Sequence, residues 1–210
     1  MSDGTETLQA KGIATLAEED QARANLYGLL ARLWYAAPDQ EMLDAFSRSE
    51  GSMENAGDTA LAIAWRALAR SAAESDPDDL THEYDALFVG TGSAEITLYC
   101  SHYLTETGRE RVVVALRDEL PQLGLGRASG TNEPEDHISG LLEVMRHLIV
   151  QGSDVPQIEF QKSFFLGYIH NSYAALTDAV TRNGGANFYK DVARLTRAFL
   201  DVESQSFDML

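Results

Sequence analysis

Residues 131–150 read TNEPEDHISGLLEVMRHLIV, and the rest of the chain is best understood from this stretch. From Ile138 onward the apolar residues Ile138, Leu141, Leu142, Met145, Leu148 and Ile149 recur with the i, i+3, i+4, i+7 spacing of one buried helix face. Ahead of them stand the marks of a helix start. Asn132 is spaced from Glu135 as in a capping box, and Pro134 falls in the first turn, where its missing N–H costs nothing. On this reading Glu133, Glu135, Asp136 and His137 crowd into that turn, where the helix dipole favours each acid by roughly 0.3–1 kcal/mol. The dipole accounts for the acids. It gives no reason for proline, aspartate and histidine to come together.

The segments on either side are helical as well. Residues 18–37 carry Leu26, Leu29, Leu30, Leu33 and Trp34 on one side, and Pro38-Asp39 ends the run. A short helix is expected over 41–47, an alanine-rich one over 59–73 with Leu61, Trp65 and Leu68 inward, and another over 78–88. Residues 93–107 have no helical period, whereas 109–119 fit one face despite Val112-Val113-Val114. The glycine-rich 123–130 reads as a linker. A long helix over 156–182 shows Phe160, Phe164, Phe165, Tyr168 and Ile169 as an aromatic face, and Asn187 caps a last helix through Val202. The fold class is all-α, a single-domain helical bundle of seven or more helices. Its expected boundaries are a frayed tail over 1–17, one helical domain over 18–203 with a hinge at 121–131, and a tail over 204–210.

Composition limits the partners. With 16 Lys+Arg against 33 Asp+Glu the formal net charge is −17, while 44 % hydrophobic residues mark a globular chain. Such a charge argues against nucleic acid and anionic membrane surfaces and favours a cationic partner. The single cysteine, Cys100, allows no intramolecular disulfide, which fits a reducing compartment. The N-terminal residues show no basic region followed by an apolar core, and no run of about 18 apolar residues occurs, so a cytoplasmic location without stable membrane association is expected.

Chemistry is sparse. The phosphate-loop pattern GxxxxGK[ST], HExxH and CxxC are all missing, and the GxGxxxG spacing in LGLGRASG follows no strand. Cys100 and His102, two apart, make a weak metal pattern, so no metal and no cofactor are expected. Neighbours such as Asp136 and His137 point about 100° apart on a helix, so the acid is badly placed to orient the ring. Tyr84, Leu87 and Phe88 read as core that ends at a glycine, and Tyr99, His102 and Tyr103 form a polar-aromatic cluster. Two alternatives stay open at this point. One is a metal-assisted hydrolase using His137, Asp136 and His102; the other is a helical adaptor for a folded partner.

The residues also resemble a known family, the TorD/DmsD/NarJ-type cytoplasmic chaperones that mature molybdenum-containing redox enzymes. Glu133-Pro134-Glu135-Asp136-His137-Ile138 is similar to its E-P-x-D-H-[IL] motif, and Tyr84-Asp85-Ala86-Leu87-Phe88-Val89-Gly90 to its aromatic-x-x-L-F-x-G motif, in the family's order. Residues 24–30 resemble the opening helix. Tyr99-Cys100-Ser101-His102-Tyr103 is similar to the segment P-Y-x-S-x-Y, with Leu98 in place of the proline. The resemblance spans about residues 20–200 and implies a chaperone, not an enzyme. Such a protein binds the twin-arginine signal peptide of the apo-form of a molybdenum oxidoreductase, holds it for cofactor insertion and prevents premature export. It implies a peptide site at Tyr84, Leu87, Phe88, Gly90, Ser101, Tyr103, Glu133, Pro134, Asp136 and His137. In that site Asp136, with Glu133 and Glu135, would take an arginine, and Tyr84, Leu87, Phe88 and Tyr103 would line the apolar part. The family serves exported clients and clients that are never exported, and the protein is expected as a monomer or a segment-swapped dimer.

Overall fold

A computed structural model of the chain describes residues 16–49, 57–90, 94–126, 134–152 and 154–210. Its helices are α1 (Glu18–Tyr35), α2 (Gln40–Arg48), α3 (Ala60–Ala73), α4 (Pro77–Tyr84), α5 (Ser101–Leu104), α6 (Arg109–Glu119), α7 (Ile138–Gln151), α8 (Val155–Phe164), α9 (His170–Arg182) and α10 (Phe188–Asp208). No strand occurs among the described residues; Tyr99 and His137 form an isolated antiparallel bridge. The fold class is therefore all-α.

The core is organised by α1 lying along α7 and by α10 packing on α9 and α3. A Cβ at Gly28 would stand 2.7 Å from Cδ of Arg146, so a larger residue there would displace that side chain. Trp34, fully buried, donates its indole N–H to Thr196 Oγ1 at 3.0 Å and packs edge-on against Phe88 with ring centroids 5.8 Å apart. Phe88 in turn meets Tyr189 at 5.0 Å. Such edge-to-face contacts are worth about 0.5–1.5 kcal/mol beyond the buried area. The aromatic cluster thus ties the end of α1 to the start of α10.

Helix starts follow local rules in several places. Asp76 caps α4 by accepting the Asp78 N–H at 2.9 Å, with Pro77 in the first position. Asp154 caps α8 through the Gln157 N–H at 3.1 Å. Two helices widen into π turns. At Asp85–Val89 the N–H of Gly90 reaches the carbonyl of Asp85 at 2.7 Å, and a second π turn at Phe165–Ile169 joins α8 to α9. Phe164, Phe165 and Ile169 are buried whereas Phe160 is exposed. The expected aromatic face over 156–182 is thus divided, and the expected helix over 78–88 is α4 plus its π turn.

Three expectations are corrected. The helix of the 131–150 stretch begins at Ile138, and its N-cap is His137, whose Nδ1 accepts the Ser139 N–H at 3.2 Å. Pro134, Glu135 and Asp136 lie in a turn ahead of it, not in its first turn; Asn132 falls outside the described residues. The reason is a long-range pairing: Ile138 N–H bonds Leu98 O and Cys100 N–H bonds Asp136 O, both at 2.9 Å, which holds His137 extended. Secondly, Asn187 occupies the N-cap position of α10 without a side-chain cap. Glu83 does the capping from α4, accepting the N–H groups of Asn187 (2.8 Å), Phe188 (3.3 Å) and Tyr189 (3.0 Å). Thirdly, α10 continues past Val202 to Asp208 because Glu203 and Phe207 extend its buried stripe.

Candidate functional site

The extended segment from Ile96 to Cys100 brings the two motif regions into one piece. At one end Ile96 N–H bonds Leu87 O at 2.9 Å, and at the other Leu98 and Cys100 pair with Ile138 and Asp136. Leu87 and Phe88 are buried, and Tyr84 is partly buried, its hydroxyl donating to Tyr35 O at 2.7 Å. Gly90 ends that helix at φ 65°, a conformation that costs other residues roughly 1–2 kcal/mol. These residues hold the end of α1 and contribute to the core.

The 134–137 turn is the other half. Asp136 is 2 % exposed, and its Oδ2 accepts the N–H of Ser101 at 3.1 Å while its carbonyl accepts that of Cys100. Ser101 is buried, and Tyr103 donates to Thr97 O at 2.9 Å. Burial, helped by the neighbouring Cys100, pushes the Tyr103 phenol up to about 12. His137 is buried with its ring edge-on to Tyr99 at 5.6 Å, and Pro134 is exposed. Glu133 lies outside the described residues. Ser101, Tyr103, Pro134, Asp136 and His137 therefore sit together around one bridge, whereas Leu87 and Phe88 face inward.

The turn borders two clefts. One, of about 620 Å³, is lined by Arg32, Tyr35, His137, Gly140, Glu143 and Arg146 among others. The second, of about 480 Å³, has Tyr99, His102, Val113, Val114, Arg117 and Asp136 in its walls. Glu135 lies near the boundary, gripped by Arg117 through two parallel hydrogen bonds at 3.0 and 2.9 Å. That pair was not evident in the sequence, because the partners lie on different elements. Glu203 was missed too, although it had a signal: Phe199, Glu203 and Phe207 are spaced by four on an apolar stripe. An acid there calls for a buried partner, and Arg23 and Tyr27 supply it at 2.8 and 3.0 Å.

Among the described residues no group of three or more His, Cys, Asp or Glu is placed to hold a metal ion. None of the described helices is long and apolar enough to cross a membrane. The arrangement presents a structured turn between clefts on a helical scaffold.

Comparison with known proteins gives the class and then the family. A family profile described as "Nitrate reductase delta subunit" matches residues 54–177. The chain is 28 % identical over 204 residues to "Chaperone protein TorD" of Shewanella loihica, covering 89 % of this chain and 93 % of that protein. It is 25 % identical over 219 residues to the TorD chaperone of Shewanella pealeana, covering 96 % and 94 %. A crystal structure from Archaeoglobus fulgidus, assigned as a redox enzyme maturation protein, is similar with a TM-score of 0.52 and 19 % identity, covering 95 % of this chain and 99 % of that one. That last likeness concerns the fold alone. The class is that of the TorD-type chaperones, which are not catalysts. The chain belongs to the nitrate reductase delta subunit family, which includes the TorD chaperones.

Proposed function

We propose that this protein acts in the cytoplasm and binds the twin-arginine signal peptide of a molybdenum-containing oxidoreductase in its apo-form. It holds the precursor for cofactor insertion and keeps it from premature export. The observation that carries this reading is the joining of the two motif regions, with the 134–137 turn fixed between two clefts by the Tyr99–His137 bridge. The net charge of −17 supports it, since a cationic peptide is drawn to an acidic surface.

In this reading the motif residues divide their work. Tyr84, Leu87, Phe88 and Gly90 support the site from the core side, and Ser101, Tyr103, Asp136 and His137 hold the turn. Pro134, exposed on that turn, faces the peptide. Titration calorimetry against synthetic twin-arginine signal peptides, at low and high salt and with an Arg-to-Gln control, tests it. Binding that weakens with salt and with the control is expected; a complete absence of binding overturns the reading.

A second reading has one observation in its favour. The matching family profile is described by a subunit of nitrate reductase. On that reading the protein is a helical adaptor for a folded or non-exported molybdoenzyme subunit, and a client lacking its signal binds as well as the whole one.

A further inference from the structure

We propose that the trough bounded by α1, α3, α8 and α10 is a docking site for an apolar client segment that carries a cation at one end. The inference rests on the client-peptide reading above and assigns the apolar part of the peptide to a different face. The need arises from burial. Leu87 and Phe88 are closed into the core, so these two motif residues offer a peptide no apolar surface of their own.

The trough has that surface. It measures about 460 Å³, and Leu26, Leu29, Leu61, Trp65, Ile158 and Val202 contribute to its walls. Val202 is 46 % exposed on a helix whose buried stripe lies on another side, so the core does not account for it. Leu26, Leu29, Leu61 and Trp65 pack on the core while still reaching the trough. An apolar segment of matching width would be removed from water along the whole trough, at about 25 cal/mol for each Å² of apolar surface buried.

Charge selects the occupant. Glu19, Asp20 and Glu203 line the trough together with Arg23. Arg23 is already engaged, bonding Glu203 at 2.9 and 2.8 Å and Asp20 at 2.9 Å. Three carboxylates against one guanidinium leave this region negative, and Glu19 is exposed there. A cation on the incoming segment complements it. A second copy of this chain does not, because it would bring its own −17 against the same charge.

The test uses the full chain and synthetic twin-arginine signal peptides from molybdenum-enzyme precursors of its own genome. Affinities are measured by calorimetry for the wild type, V202K, E19K, the control V150K, whose valine is exposed on α7, and V114K, which reports on the cleft beside the 134–137 turn. Circular dichroism melts check folding, and E19K alters only an exposed side chain. V202K and E19K are each expected to weaken binding at least tenfold while V150K binds as the wild type does. Tryptophan emission is expected to move on binding and to stop moving in W65F, because Trp34 is fully buried. Unchanged affinity in both V202K and E19K overturns the trough and leaves the signal-peptide reading in place. Loss in V114K alone moves the occupant to the other cleft and overturns it likewise. No binding of any peptide to the wild type removes the signal-peptide reading, and the trough with it.

Discussion

Asp136 closes its carboxylate on the backbone N–H of Ser101 at 3.1 Å, with both residues buried. The aspartate of the turn thus holds the start of α5, and its replacement separates structure from charge. Asn keeps an oxygen able to accept from Ser101, whereas Ala leaves a buried donor unsatisfied at a cost of about 1–3 kcal/mol. D136A is expected to lower the urea midpoint and D136N to leave it nearly unchanged. If D136N also retains peptide affinity, the acid is structural; a selective loss of affinity in D136N assigns its charge to the peptide.

The ion pair of Arg23 and Glu203 gives a second expectation. Burial opposes the charge on Arg23, but its hydrogen bonds and attraction to Glu203 outweigh this and hold the guanidinium above its ordinary range. Glu203 also accepts from Tyr27 at 3.0 Å. E203A leaves the Tyr27 hydroxyl without its acceptor and Arg23 with Asp20 as its remaining carboxylate, and a loss of about 3–5 kcal/mol is expected from breaking such a buried pair. At roughly 2–4 °C per kcal/mol for a chain of this size, the melting temperature falls by about 6–20 °C. The double replacement R23M/E203L is expected to recover much of that loss. A double variant as unstable as E203A would show that the pair does more than satisfy its own charges.

These pairs mark where sequence reasoning reached and where it stopped. Helix positions for α1, α3 and α6 follow from apolar spacing, since each buries one stripe whatever its partner is. The Pro77 start of α4 is equally local, with its cap one residue away. The start of α7 is not. Pro134 and Glu135 carry good first-turn signals, yet the pairing of Ile138 with Leu98 draws the chain out of the helix there. Glu83 capping α10 is of the same kind, because its acceptors and donors are joined only by the fold. For the candidate site, the motifs pointed to the residues that shape the turn. They did not point to Arg117 on Glu135, or to the trough, which is assembled from four helices.

Cys100 offers a direct probe of this packing. It is 1 % exposed, and burial pushes its thiol up to about 12, with Asp136 adding to the rise and a hydrogen bond involving Ser172 working against it. At pH 8 the native thiol is expected to resist a disulfide reagent such as dithionitrobenzoate and to react quickly once guanidinium unfolds the chain. The slow native rate then reports the opening of the bridge between Cys100 and Asp136. D136A is expected to raise it. Rapid stoichiometric reaction of the folded wild type would contradict the buried placement.

The tyrosines set the alkaline limit of stability. Burial, reinforced by Glu203, raises Tyr27 well above its ordinary value near 10; burial, with Tyr84 and Glu83 nearby, raises Tyr189; Tyr103 is pushed up to about 12. Below about pH 10 neither the folded nor the unfolded chain ionises these phenols, so their contribution is present in full. Above about pH 10 the unfolded chain releases protons that the native state retains, and stability falls as pH rises through the raised folded values. Urea midpoints are expected to hold steady from pH 8 to about pH 10 and to decline beyond it. In parallel, tyrosinate absorbance of the native protein should show part of its 8 tyrosines titrating late, together with unfolding. Y27F removes one ionisable phenol together with its bond to Glu203. It is expected to be less stable at neutral pH and to lose less on going to alkaline pH. A Y27F variant with the wild-type slope above about pH 10 would exclude Tyr27 from the alkaline transition.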